Sequence, residues 1–254
     1  MKLFFSLMLS ILFYLPASAY DFEVDGIFYD IVSLEDLTCK VTYDSKNSTT
    51  KSLYFYYGLN GQSTYWSVTT YPSYSGDIVI PAKVNYKGRE LSVTGIGERA
   101  FLNCTALTSL TLPSSITNIE EYTISANNYC YAGAFDYCCI ESLTVGNAYT
   151  LTRFNQAYAY YNHNTTKGNL KNLYLSDDFS GIIDVNFSNY AKLVSIQSNS
   201  INVPVFTSGT HFTNEQYLMF RYSDNFFSNS SVYLPEVSQN SKALSTKFTI
   251  SLLS

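Results

Sequence analysis

Three short segments end in the same way: Ile78-Val79-Ile80-Pro81, Leu110-Thr111-Leu112-Pro113 and Val232-Tyr233-Leu234-Pro235. Leu143-Thr144-Val145 and Leu173-Tyr174-Leu175 keep the apolar–x–apolar triplet without the proline, and Ile196-Gln197-Ser198 keeps only its first apolar residue. A second signature runs ahead of the triplets: Ala100-Phe101-x-x-Cys104-x-x-Leu107, then Ala134-Phe135-x-x-Cys138-x-Ile140, then a degenerate Phe187-x-x-Tyr190-x-x-Leu193. Two signatures recurring together, in order and in register, constrain the fold more than any other feature. They describe one small unit stacked on copies of itself.

The triplets starting at 78, 110, 143, 173 and 196 are spaced by 32, 33, 30 and 23 residues. Residues 122–131 interrupt the second unit, and removing these ten returns 33 to 23. A polar stretch near 82–90 lengthens the first unit and residues 157–167 the third. A unit of about 23 residues with an L-x-x-L-x-L core has the length and pattern of a leucine-rich repeat coil. In a short strand the two outer residues of L-x-L point inward and the middle one points out. Leu107, Ile140, Leu170 and Leu193 fill the adjacent core layer, while Ala100 and Phe101 pack the far side of the coil. Each coil is open at both ends, so stacking completes the core. The expected fold is a β-rich leucine-rich repeat solenoid, short and right-handed, with irregular coils of about 23 residues carrying insertions.

The stretch Ile96-Gly97-Glu98-Arg99-Ala100-Phe101, followed by Cys104, Leu107, Leu110, Leu112-Pro113, Ile116 and Ile119, carries a specific resemblance. It matches nearly throughout the unit I-G-x-x-A-F-x-x-C-x-x-L-x-x-I-x-L-P-x-S-V-x-x-I of BspA-type leucine-rich repeat proteins, which are bacterial surface and secreted proteins. The opening segment 20–29 also resembles the lead-in that such proteins carry. The resemblance is specific over about 76–146 and continues as weaker echoes to about 235. It implies non-enzymatic binding outside the cell, as adhesion to an extracellular protein, a matrix component or another cell.

The flanks divide the chain further. Lys2, the apolar run Leu3–Leu15 and Ala17-Ser18-Ala19 have the layout of an export signal cleaved after Ala19. That run is too short to span a bilayer, which takes about 20 residues. Residues 20–75 read as an N-terminal antiparallel β cap that begins with a hairpin at Val24-Asp25-Gly26-Ile27. The solenoid occupies 76–200. Residues 201–254 hold a last coil, with a candidate sixth triplet at 232–234, and a small C-terminal cap with a closing strand at 247–252.

Composition narrows the chemistry. A net charge of −5 without a Lys/Arg run excludes a nucleic-acid binder that works by neutralising phosphate. With only two histidines, acid–base and metal chemistry are poorly supplied. Gly95-Ile96-Gly97-Glu98-Arg99-Ala100 satisfies the dinucleotide pattern G-x-G-x-x-A, but it lies inside the repeat, with Pro113 where a long helix should run. The adjacent acids Glu35-Asp36, Glu120-Glu121 and Asp177-Asp178 face opposite sides of a strand and make no glycosidase dyad. Five cysteines follow the export segment: Cys39, Cys104, Cys130, Cys138 and Cys139. Cys104 and Cys138 share one repeat position and are expected as buried thiols. No cofactor, metal or catalytic group is expected.

The candidate contact residues follow from the register. Thr111, Thr144 and Tyr174 are the middle residues of successive triplets and should form an outward row. The insertion adds Tyr158, Tyr160 and Tyr161, since Tyr combines a broad apolar face with a hydroxyl at low entropic cost. The leading reading is an exported protein that binds a protein partner. The alternatives are a glycan-binding module with Tyr platforms and a secreted hydrolase.

Overall fold

The computed structural model describes residues 20–57, 62–125, 130–156, 169–200, 204–212 and 217–220. The export segment at 1–19, Tyr158, Tyr160 and Tyr161, and the strands expected at 232–234 and 247–252 lie outside the described residues.

The chain opens with β1 (Phe22–Val24), β2 (Ile27–Ser33) and β3 (Thr38–Val41), an antiparallel meander. Asp25 and Gly26 both take positive φ between β1 and β2, the backbone a two-residue hairpin turn requires. A separate hairpin follows, β4 (Thr49–Tyr57) and β5 (Gln62–Thr70). After β6 (Gly76–Val79) come β7 (Lys83–Tyr86) and β8 (Arg89–Ile96), an antiparallel pair. β3 joins β8 in parallel, so the sheet that the N-terminal strands begin is mixed and runs past residue 75. Gly97 lets this junction close: its N–H donates to the Val41 carbonyl at 2.7 Å, and a Cβ would lie 3.1 Å from that oxygen. The glycines of the dinucleotide-like pattern thus serve packing on β3, and a turn follows them instead of a helix.

The repeats contribute β9 (Leu107–Leu112), β10 (Asn118–Ile119), the small hairpin β11 (Tyr122–Ser125) and β12 (Cys130–Ala132), β13 (Ser142–Asn147) and the helix α1 (Ala148–Gln156). They continue with β14 (Asn172–Ser180), β15 (Ile182–Ile183), β16 (Ser195–Ser198), β17 (Val205–Phe206) and β18 (Tyr217–Phe220). Strands β6, β9, β13, β14, β16 and β18 form one parallel sheet in sequence order, one strand per repeat. The register is the one the triplets dictate: Ile78, Leu110, Leu143, Leu173 and Ile196 are lateral partners. The sixth strand is Tyr217–Phe220, with Leu218 opposite Ile196 only 22 residues on; it comes before the triplet at 232–234.

On the opposite side of each coil, β8 pairs in parallel with β10 and β15 with β17. α1 adjoins β13 and β15. Asn147 starts the helix, accepting from Thr150 N–H at 2.8 Å while its amide donates to the Ser114 and Ile116 carbonyls. Between the two sides runs a row of buried rings. Tyr74 meets Phe101 at 5.0 Å, Phe101 stacks on Phe135 at 5.8 Å, and Phe135 meets Phe154 of α1 at 5.6 Å.

Cys104 and Cys138 occupy equivalent buried positions, and Cys138 donates to the Phe101 carbonyl at 2.9 Å. Burial pushes the Cys104 thiol up to about 11, and those of Cys39 and the Tyr137 phenol up to about 12. Cys138, Tyr29, Tyr74 and Tyr190 move the same way for the same reason. The unfolded chain releases these protons from about pH 8.5 upward. Above that point the unfolded state binds fewer protons than the folded one, so stability falls as pH rises. The melting temperature is expected to hold to about pH 8 and then decline steadily toward about pH 11; a flat profile over that interval contradicts the burial of these groups.

Leu112→Ala is expected to cost about 2–5 kcal/mol, because Leu112 is fully enclosed between neighbouring coils. Ser114→Ala should cost under about 1 kcal/mol, since it removes a bond between exposed side chains. Similar melting temperatures for the two variants would refute the repeat register.

Candidate binding surface

The inward positions of the parallel sheet are committed to the core, leaving its other face to the alternate residues. Val79, Thr111, Thr144, Tyr174, Gln197 and Met219 are successive lateral partners across six strands. Strand neighbours lie about 4.8 Å apart, so these positions make one continuous row. Val79 begins it at 63% exposure, while Thr111, Thr144, Tyr174 and Gln197 are half-buried. The structure therefore brings together the three candidates Thr111, Thr144 and Tyr174. It says nothing of Tyr158, Tyr160 and Tyr161.

A second row, which the triplet reading passed over, runs two residues earlier: Asp77, Ser109, Ser142, Asn172 and Ser195. The period of two along each strand was the signal that could have found it. Two bonds cross the rungs here: Asp77 accepts from Thr108, the residue beside Ser109, at 3.2 Å, and Ser195 donates to Asn172 at 2.8 Å. Between the two rows the face offers hydroxyls and amides, with a carboxylate only at Asp77.

Charge sits at the rims. On the side where the strands begin, Lys171 pairs with Glu141 at 2.8 Å, an exposed contact worth about 0–1 kcal/mol. On the other side, Ser114 and Ser176 each donate to Asp178 at 2.5 Å, and these bonds hold its carboxyl below the usual carboxylate range. Ser114 follows β9 and Asp178 lies on β14, so this bond reaches over the intervening rung. It can do so because Gly146 carries no side chain: a Cβ there would lie 2.1 Å from the Ser114 nitrogen.

The groups considered for chemistry are spent elsewhere. Glu120 turns to Lys40 at 2.9 Å and Glu121 to Arg153 at 2.8 Å, so the adjacent pair diverges. The backbone around His211 bridges to Asn186 and accepts from Phe187 N–H. Among the described residues no group of three His, Cys, Asp or Glu could hold a metal ion, and no helix is long and apolar enough to cross a membrane.

A parallel sheet with one strand per repeat, L-x-L residues inside and a ring row behind it, defines a leucine-rich repeat protein. Residues 89–218, just over half of the chain, match the BspA type Leucine rich repeat region in six copies, and the chain belongs to that family. No curated protein matches it. Among solved structures it is similar to a leucine-rich repeat protein from Bacteroides ovatus ATCC 8483, with 17% identity over 82% of this chain and a TM-score of 0.29. The match spans 60% of the length of that protein.

Proposed function

We propose that this is an exported, non-enzymatic binding protein that presents its parallel-sheet face to an extracellular protein, a matrix component or a cell-surface component. On this reading, 1–19 is the export signal, 20–75 an N-terminal cap, 76–200 a right-handed solenoid, and 201–254 the last coil and C-terminal cap. The supporting observation is the row Val79–Thr111–Thr144–Tyr174–Gln197, a continuous surface that the core does not use. Residues free of packing duty can vary with a ligand. A face of hydroxyls and amides with an apolar end and a single carboxylate suits a broad, mixed protein contact. Glycan platforms need fully presented aromatic rings, and Tyr174 is half-buried, which favours the protein partner.

The test is binding to a panel of extracellular matrix proteins beside a glycan array. A hit in the protein panel is expected. Tyr174→Ala should weaken that hit at least about tenfold, roughly 1.4 kcal/mol, while melting like the parent. The combined Tyr158→Ser, Tyr160→Ser, Tyr161→Ser variant should also lose affinity. Parent-like binding by both variants would place recognition elsewhere, and a hit on glycans alone would replace the protein reading.

A further inference from the structure

Strands β4 and β5 pair in register over nine residues each, from Thr49↔Thr70 to Tyr57↔Gln62, without a bulge. They form a sheet of their own. The outer edge of β4 is occupied: Tyr54 N–H donates to the Tyr137 hydroxyl at 2.7 Å, the same hydroxyl donates back to the Tyr54 carbonyl, and β12 lies alongside. The backbone groups of Tyr54 therefore point away from β5. In an antiparallel pair, opposed residues turn their backbone groups the same way, both toward each other or both outward. Tyr65 is opposite Tyr54, so its N–H and C=O point out of the hairpin on the far side, followed at every second residue by Ser67 and Thr69. No strand lies beyond β5 among the described residues.

An open edge is a template for another strand, and proteins normally guard it with short length, charge, proline or a bulge. The other edges here are guarded. β6 has four residues and a register shift. β7 has four residues and begins with Lys83, and β1 and β18 have three and four residues. β5 has none of these devices. Its sequence Gln62-Ser63-Thr64-Tyr65-Trp66-Ser67-Val68-Thr69-Thr70 contains no charge and no proline.

We infer that the protein self-associates through β5, the β5 strand of a second copy adding antiparallel to the first about a two-fold axis. Such a contact is self-complementary, so each outward backbone group meets its own counterpart. Placing Tyr65 opposite Tyr65 of the second copy keeps the outward-facing residues in step, with Ser63 opposite Ser67. No like charges meet, although the chain as a whole carries −5. The pairing also covers the Tyr65 ring, which is 58% exposed, and extends the edge contact that it makes with Tyr54 at 4.9 Å. Aromatic pairs of this kind are favourable across strands.

Sedimentation velocity of the full chain over about 1–100 μM, the range of modest interfaces, tests this. A monomer–dimer equilibrium is expected. Ser67→Pro removes an outward N–H and Tyr65→Lys places like charges opposite each other. Each should raise the dissociation constant at least about tenfold with the parent's circular dichroism spectrum and melting temperature. Tyr65→Cys should cross-link to a covalent dimer on mild oxidation, since Cα atoms of such a pair lie about 5.5 Å apart, within disulfide range. If Ser67→Pro disturbs the hairpin itself, Tyr65→Lys decides alone, because it alters only an exposed side chain. A monomer throughout the range overturns the inference, even if the edge takes up a foreign peptide. So does a dimer that Tyr65→Lys leaves intact.

Discussion

Gly146→Ala is expected to destabilise the protein by about 3 kcal/mol or more, at or above the upper end of ordinary overpacking costs. At a glycine without positive φ, alanine would normally gain about 0.4–1 kcal/mol by restricting the unfolded chain. Here the added methyl would stand 2.1 Å from the Ser114 nitrogen, 2.5 Å from its Cα and 2.6 Å from the Pro113 carbonyl carbon. All three are backbone atoms, so no side chain can swing aside, and the steric term outweighs the entropic one. Relief would require the turn after β9 to move. That turn supplies the Ser114 hydroxyl to Asp178 and the Ser114 and Ile116 carbonyls to Asn147. The damage should therefore reach β14 and the start of α1. Equilibrium urea unfolding measures it; a midpoint equal to or above the parent's would contradict the close approach of these rungs.

Phe101→Ala should cost about 3–5 kcal/mol, the range for emptying a buried aromatic site. Phe101 is fully buried between Tyr74 and Phe135, so its loss leaves a gap between rings from three consecutive segments. Of its neighbours, Tyr74 is fixed by separate bonds and cannot collapse into that gap. The Tyr74 hydroxyl donates to the Thr42 carbonyl at 2.6 Å and accepts from Phe28 N–H, tying it to the N-terminal strands. Unfolding is accordingly expected to remain one cooperative transition, shifted down as a whole. A loss below about 1 kcal/mol would mean that the ring row is not a shared core.

The triplets were legible because burial acts on them directly: Leu110, Leu143 and Leu173 each fill one layer, and a change of residue class there would open the core. The Ala-Phe-x-x-Cys signature was legible for the same reason, with Ala100, Phe101 and Cys104 all enclosed. The strand at Tyr217–Phe220 was passed over because Tyr217-Leu218-Met219-Phe220 lacks the triplet's alternation with polar residues and its proline; the triplet at 232–234, which carries the proline, lies outside the described residues. α1 was missed because its nine residues include two Thr, a Tyr and a Phe, weak helix formers held by the Asn147 bonds and by burial of Leu151 and Phe154. The parallel joint between β3 and β8 joins residues more than fifty positions apart, which local pattern cannot reveal. Of the candidate surface, the row Thr111–Thr144–Tyr174 followed from strand alternation alone. The neighbouring Ser and Asn row was harder to single out, because small polar residues abound in this chain.

The claim that the sheet face is the binding surface is tested most directly by site-specific photocrosslinking to the matrix protein that binds in the panel. A photoreactive residue at Thr144, mid-row, is compared with one at Thr117, an exposed position on the opposite side of the coil next to β10. Covalent capture of the partner from position 144 and its absence from position 117 is the predicted result. Capture from 117 with none from 144 would contradict it.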